Sequence, residues 1–249
     1  MIIFDDLKSD TLPSTWYKLL DEVQRTYPML KFDIYDNKFK RNVCIDIGAN
    51  IGAFSFFASH FYKKVISFEP GYYTCQAARL KINHMENIKN VTIHNLAVSD
   101  KSGKIVKLMP TITENHKNES GNATLVNLNE TNQPKNVYDT VMTIGLEDVF
   151  KIAETDFIDY LKLDCEGSEY DILLKKDLSK IGIIVAELHR LPGLDFKDLK
   201  NKLLKHLSNN FICSIADDHY LFAVNKMFDI NIKEAIPQCH YHRVDENET

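Results

Sequence analysis

The sequence predicts an α/β fold: a doubly wound, mostly parallel sheet of seven strands, closed by an antiparallel C-terminal hairpin. Three observations predict it. Apolar runs of strand length alternate with segments of helical spacing along most of the chain. The first run, Val43-Cys44-Ile45-Asp46-Ile47, breaks at Gly48, Asn50 and Gly52 and gives way to an apolar helical segment, Ala53 to Phe61. Strand, glycine bend and helix together are the entry to a βαβ unit that binds a small molecule at a helix N-terminus. Near the other end, Phe211 to Ile215 and Tyr220 to Val224 are separated only by Ala216-Asp217-Asp218-His219, the spacing of an antiparallel pair.

The remaining elements follow in order. Residues 1–40 carry Trp16, Leu19, Leu20, Val23 and Tyr27 at helical spacing, which predicts an amphipathic helix ahead of the first strand, packed on the sheet in the first reading and a candidate lid in the second. A core domain is expected over 41–228. Val65 to Phe68 is a second buried strand ending in Glu69, and Pro70 suits the start of the helix Tyr72 to Met85. A third strand, Val91 to Leu96, leads into Ala97-Val98-Ser99-Asp100, and a short β-like run, Gly103 to Met109, comes next. Residues 110–136 are polar, rich in Thr, Asn, Glu and Lys, with a small hairpin expected around Ala123-Thr124-Leu125-Val126. A polar insertion of this length inside a domain reads as a lid or a disordered loop, with a lid that orders on ligand binding the favoured reading. Strand character returns over Val137 to Ile144, Phe157 to Leu163 and Ile181 to Leu188, each followed by a helical segment. Residues 229–249 read as a C-terminal tail, and Cys239-His240-Tyr241-His242 within it is too local a set of ligands for a tetrahedral metal site.

Composition narrows the class. Of 249 residues, 44% are hydrophobic and 26% charged, which is enough apolar material for a real core. A net charge of −5 lacks the basic footprint of a nucleic-acid binder. The five cysteines, Cys44, Cys75, Cys165, Cys213 and Cys239, form no C-x-x-C pair and read as reduced thiols. MIIFDDLKSD is not read as a secretory signal, and no apolar run reaches membrane-span length, so a cytoplasmic location is expected.

In a parallel sheet, ligands lie beyond the carboxyl ends of the strands. Asp46, Glu69, Asn95, Asp164, Glu166 and His189 should therefore share one rim. A dinucleotide fingerprint requires a second glycine where Asn50 stands, and a side chain there obstructs a pyrophosphate, which places an NAD(P)-dependent oxidoreductase second. An adenosine with an amino-acid arm fits better. The bend's N–H groups can hold a carboxylate, Asp46 can sit near an ammonium, Glu69 can accept from two ribose hydroxyls, and Asn95 lies where an adenine edge reaches.

D-x-G-x-x-x-G followed by a strand ending in Glu69 resembles the class I S-adenosylmethionine (SAM) methyltransferases. Ile45-Asp46-Ile47-Gly48-Ala49-Asn50-Ile51-Gly52, Phe68-Glu69-Pro70, Asn95-Leu96-Ala97-Val98-Ser99-Asp100, Leu161-Lys162-Leu163-Asp164-Cys165-Glu166-Gly167-Ser168-Glu169 and Glu187-Leu188-His189 occur in that order. Over about residues 43–225 the chain is similar to the FkbM family of SAM-dependent methyltransferases. That resemblance implies a Rossmann-like fold and O-methylation of a sugar or natural-product hydroxyl, with S-adenosylhomocysteine (SAH) as product. The partner is then a small-molecule or glycan acceptor. The resemblance implies a cofactor site of Asp46, Gly48, Ala49, Asn50, Gly52, Glu69, Pro70, Asn95 and Ala97. A hydroxyl acceptor must lose a proton, so a general base is expected. His189 is the first candidate because an unperturbed imidazole is largely neutral near pH 7. Glu166 is the second, and Asp164 either binds the cofactor's amino group or orients the acceptor. No metal site is expected. A non-catalytic SAM-binding protein is the remaining alternative.

Overall fold

The computed structural model describes residues 41–85, 87–110, 123–126, 139–228 and 241–242. The expected helix and lid within residues 1–40 lie outside the described residues, as does most of the polar insertion.

The described chain runs β1 (Val43–Ile47), α1 (Ala53–Ser59), β2 (Lys64–Phe68), α2 (Tyr72–Asn83), β3 (Val91–His94), β4 (Ala97–Val98), β5 (Ile105–Pro110), β6 (Ala123–Val126) and β7 (Asp139–Ile144). It continues with α3 (Leu146–Ile152), β8 (Ile158–Leu163), α4 (Glu169–Leu174), β9 (Ile181–Glu187), α5 (Phe196–Leu207), β10 (Phe211–Ala216), β11 (Tyr220–Asn225) and β12 (Tyr241–His242). The main sheet has the order β12-β10-β11-β9-β8-β1-β2-β3. Strands β3, β2, β1, β8 and β9 are mutually parallel. β11 inserts antiparallel between β9 and β10, so the expected terminal hairpin is present and its second strand sits inside the sheet. The two-residue β12 extends the edge beside β10.

β1 and β8 are buried along their whole length, as expected of central strands covered on both faces. Their alternation sorts the core into two layers. Cys44, Tyr160 and Ile183 pack with Phe54, Phe57, Ala78 and Ile82, which come from α1 and α2. Ile45, Leu161 and Ile184 pack with Val149, Ile172 and Leu203, which come from α3, α4 and α5. α5 opens with Asp195, whose side chain accepts from the Asp198 N–H at 2.9 Å, and buries Phe196, Leu203 and Leu207. Cys44, Cys75, Cys165 and Cys213 are free thiols. Among the described residues no helix is long and apolar enough to cross a membrane.

Two local readings are corrected. β3 stops at His94 rather than running through Leu96. Asn95 turns its amide back to the Glu69 and Pro70 carbonyls, at 3.0 and 2.8 Å, which breaks the strand. The chain then leaves for a second sheet of order β4-β7-β5-β6, which the sequence patterning did not separate from the first. β4 runs parallel to β7, and β5 pairs antiparallel with β7 and with β6. Ala97, Leu108 and Val141 form its small core.

The entry to β1 is pinned from across the sheet. Asp159, buried in β8, accepts from the Asn42 and Val43 N–H groups at 3.1 and 2.8 Å. Asp159→Ala strands both donors and is expected to lower stability by about 1–3 kcal/mol, read by urea denaturation.

Candidate active site

The five parallel strands end on one edge, and the first site is built where β1 and β2 end. Gly48, Asn50 and Gly52 adopt φ of 79°, 49° and 86°. The Gly48 and Ala49 N–H groups both donate to the Phe68 carbonyl, at 2.9 and 3.1 Å, closing the bend onto the end of β2. A Cβ on Gly48 would lie 1.7 Å from the Asp164 carbonyl oxygen, so the backbones at the ends of β1 and β8 approach closely there. Asn50 tolerates the left-handed conformation, and its N–H donates to Glu69 Oε2 at 2.8 Å. Glu69 Oε1 accepts from the Gly71 N–H at 2.9 Å. The carboxylate at 69 therefore lies directly against the bend. Burial pushes its pKa up, opposed by the Gly71 and Asn50 N–H groups and by the Lys162 charge.

Asn95 braces this corner through its two bonds to the Glu69 and Pro70 carbonyls, so its amide N–H groups face backbone. Pro70 is half-buried; Ala49 and Ala97 are buried. The N–H groups of Gly48, Ala49, Asn50 and Gly52 all have partners within the protein.

Asp46 has no exposed surface. Its Oδ2 accepts from Ser55 Oγ at 2.6 Å, and that hydroxyl meets Ser67 Oγ at 2.9 Å. Its Oδ1 pairs with Lys162 Nζ at 3.1 Å. Lys162 also donates to the Gly48 carbonyl at 2.7 Å and lies 3.7 Å from Asp164 Oδ2. Burial acts most strongly on Lys162 and lowers its pKa, but the charges of Asp46 and Asp164 outweigh it and hold the amine protonated. Asp46 thus faces inward and holds the bend through Lys162. Sequence reasoning passed over Lys162; the available signal was a lysine in the middle of an otherwise apolar strand, a buried charge in need of a partner.

The second half of the site lies beyond β8 and β9. β8 ends at Leu163, and the chain turns through Asp164, Cys165, Glu166 and Gly167, with φ of 54° at Glu166 and 109° at Gly167. The turn brings both carboxylates to His189. His189 Nε2 is 3.4 Å from Glu166 Oε2 and 3.9 Å from Asp164 Oδ1. Its Nδ1 meets Glu169 Oε1 at 3.0 Å. Glu169 is fully buried and also accepts from the Cys165 and Gly167 N–H groups, at 2.8 and 2.9 Å.

This surrounding overturns the premise of a neutral imidazole. Burial is the largest influence on His189 and lowers its pKa. The hydrogen bond to Glu169 and the charges of Glu169, Glu166 and Asp164 more than offset it and raise the pKa to about 9. The resting ring is an imidazolium near neutral pH and has no lone pair to act as a base. Glu169 is the residue that sequence reasoning missed here. It closes the D-x-E-G-x-E block, but its role depends on a contact with His189, 20 residues away. Among the described residues, Asp164, Glu166 and His189 form a group that could hold a cation.

The strand order puts a glycine bend after the central β1 and a carboxylate after the adjoining β2, on the edge where a doubly wound sheet binds its ligand. The family model described as methyltransferase FkbM domain matches residues 46–213, and the chain belongs to that family. A solved FkbM methyltransferase from Methylobacillus flagellatus KT is similar at 17% identity and TM-score 0.47, covering 74% of this chain. This chain spans 43% of that protein's length. A methyltransferase from Geobacter sulfurreducens is similar at 13% identity and TM-score 0.46, covering 89% of this chain and 96% of its own. M. capricolum TrmK, solved in complex with S-adenosyl-homocysteine, is similar at 15% identity and TM-score 0.41, covering 86% of this chain and 69% of its own. A search among curated proteins finds no match.

Proposed function

We propose that this methyltransferase uses SAM as methyl donor and acts on the hydroxyl of a sugar or natural product. One observation carries the reading: the Asn50 N–H donates to Glu69 Oε2 at 2.8 Å, which puts the carboxylate and the glycine bend at one corner of the rim. The residues fit an adenosyl group there. Each Glu69 oxygen accepts one backbone N–H and keeps capacity for a further donor, as the two hydroxyls of a ribose require. Asn95 holds that carboxylate's backbone through the Glu69 and Pro70 carbonyls, and the Gly48–Gly52 bend with Ala49 lies beside it, where an amino-acid arm would run. Ala97 lies just beyond Asn95 on β4.

When bound, SAM supplies an electrophilic methyl on a sulfonium. The protein's part is to orient the acceptor for in-line attack and to take its proton. Because His189 already carries its proton, the bases on this rim are the carboxylates of Glu166 and Asp164. On Glu166, burial pushes the pKa up, the charge of His189 opposes it, and the charges of Asp164 and Glu169 add to it, leaving a carboxylate more basic than usual. His189 then orients these carboxylates.

The test uses SAH and thermal unfolding. At 100 times the dissociation constant, SAH is expected to add about 2.7 kcal/mol, which raises Tm by roughly 5–10 °C for a domain of this size. Glu69→Ala is expected to remove the shift while Glu69→Gln retains part of it, and NAD is expected to give none. Absence of a shift at millimolar SAH would overturn the reading, and a shift with NAD alone would replace it with the oxidoreductase. Incubation with isotopically labelled SAM and a panel of sugars then reads transfer by mass spectrometry. Binding without transfer to any acceptor would favour a non-catalytic role.

A further inference from the structure

We propose that Asp164, Glu166 and His189 form a binding site for a divalent metal ion at the carboxyl ends of β8 and β9. One donor atom from each lies within 4.8 Å of the others. The separations themselves are informative. His189 Nε2 stands 3.4 Å from Glu166 Oε2 and 3.9 Å from Asp164 Oδ1, too far for good hydrogen bonds. Ligands bound at about 2.1 Å to a common centre stand roughly 3.0 Å apart at right angles and roughly 3.4 Å apart at the tetrahedral angle. The Glu166–His189 spacing already matches, and Asp164, half-exposed at the mouth of the turn, has a short distance to move.

A residue outside the donor set points the same way. Glu169 is completely buried, is anchored by the Cys165 and Gly167 N–H groups, and takes the Nδ1–H of His189. That contact fixes the tautomer and turns Nε2 toward the two half-buried carboxylates. A carboxylate behind a histidine whose other nitrogen faces further acidic ligands is the arrangement that supports metal-bound imidazole. Coordination at Nε2 replaces the proton held there and leaves Nδ1–H on Glu169.

Carboxylates crowd this corner: Asp164 Oδ1, Glu166 Oε2 and Glu169 Oε1 all lie within 3.9 Å of a His189 ring nitrogen. The nearby buried Lys162 pairs with Asp46 and the Gly48 carbonyl and stands 3.7 Å from Asp164. One nitrogen and two carboxylate oxygens suit Mn²⁺ or Zn²⁺ better than Ca²⁺, which prefers an all-oxygen shell. The remaining coordination positions are open to water or to an acceptor hydroxyl, whose proton a bound cation makes easier to remove. That last role rests on the function proposed above; the metal site does not.

The experiment is a titration of the chelator-treated full chain with Mn²⁺, followed by electron paramagnetic resonance and calorimetry, with neither SAH nor acceptor present. One site per chain is expected. His189→Ala and Glu166→Gln are each expected to weaken it at least 10-fold, and Glu169→Gln about 10- to 100-fold. Circular dichroism checks that each variant is folded. Glu166→Gln, at a half-exposed position, keeps the test decisive if Glu169→Gln is not. Glu69→Ala is expected to lose SAH binding and keep Mn²⁺ binding, which separates the two proposals. Wild-type protein that binds SAH but no Mn²⁺, or Mn²⁺ binding unchanged in His189→Ala and Glu166→Gln, would overturn the metal site and leave the methyl-donor site standing.

Discussion

Gly48→Ala is expected to cost more than about 4 kcal/mol and to leave little folded protein. Two penalties are involved, and a second glycine separates them. Gly48 and Gly103 both have φ of 79°. An alanine pays the left-handed backbone cost at either position, roughly 1–2 kcal/mol. At Gly103 the new methyl meets nothing within 4 Å, whereas at Gly48 it lies 1.7 Å from the Asp164 carbonyl oxygen, which is backbone and cannot swing aside. Relief would require β1 and β8 to part, and these are two fully buried strands at the centre of the sheet. Urea denaturation of the two variants is the check. A modest, shared loss would mean that the close approach at Gly48 is not a fixed feature of the fold.

Lys162→Met is expected to cost about 3–5 kcal/mol, because it leaves Asp46 charged and buried without its partner. Asp46 has no exposed surface through which water could reach it, and Ser55 satisfies only Oδ2. The variant also frees the Gly48 carbonyl, so the bend should loosen and SAH affinity should fall with stability. The double variant Asp46→Asn/Lys162→Met removes the orphaned charge and is expected to recover much of the loss. A double-mutant cycle of denaturation midpoints measures that coupling. Additive effects would show that the pair does not act as a unit.

The glycine bend and Glu69 were legible in the sequence because each rests on a local rule. Positive φ selects Gly and Asn, and a carboxylate closing an apolar run marks a strand end on a ligand-bearing edge. Lys162 and Glu169 obey no local rule. Asp46 and Lys162 are register partners on β1 and β8, a pairing that exists only once those strands lie side by side. Glu169 acquires its role from His189, across the interval that contains α4 and β9. The charge on His189 was misjudged for the same reason, since three carboxylates from a turn and a helix start set it. The second sheet escaped notice because its pairings are non-local: β4, of only two residues, joins β7, and β5 meets β7 from about 30 residues away.

The pairing of β1 with β8 has a further consequence. Val43 bonds directly to Asp159, 116 residues along the chain, and everything between them is an excursion that leaves the central pair and returns to it. Loop-closure entropy grows only with the logarithm of length, and doubling a flexible stretch costs about 0.6 kcal/mol. Extra residues between Pro110 and Asp139 would therefore scarcely burden the sheet. Yet that stretch is rooted in β5 and β7, next to β4 and hence to Asn95. A change of length in this detour would fall beside the Asn95 and Glu69 corner and leave the register of β1 on β8 as it is.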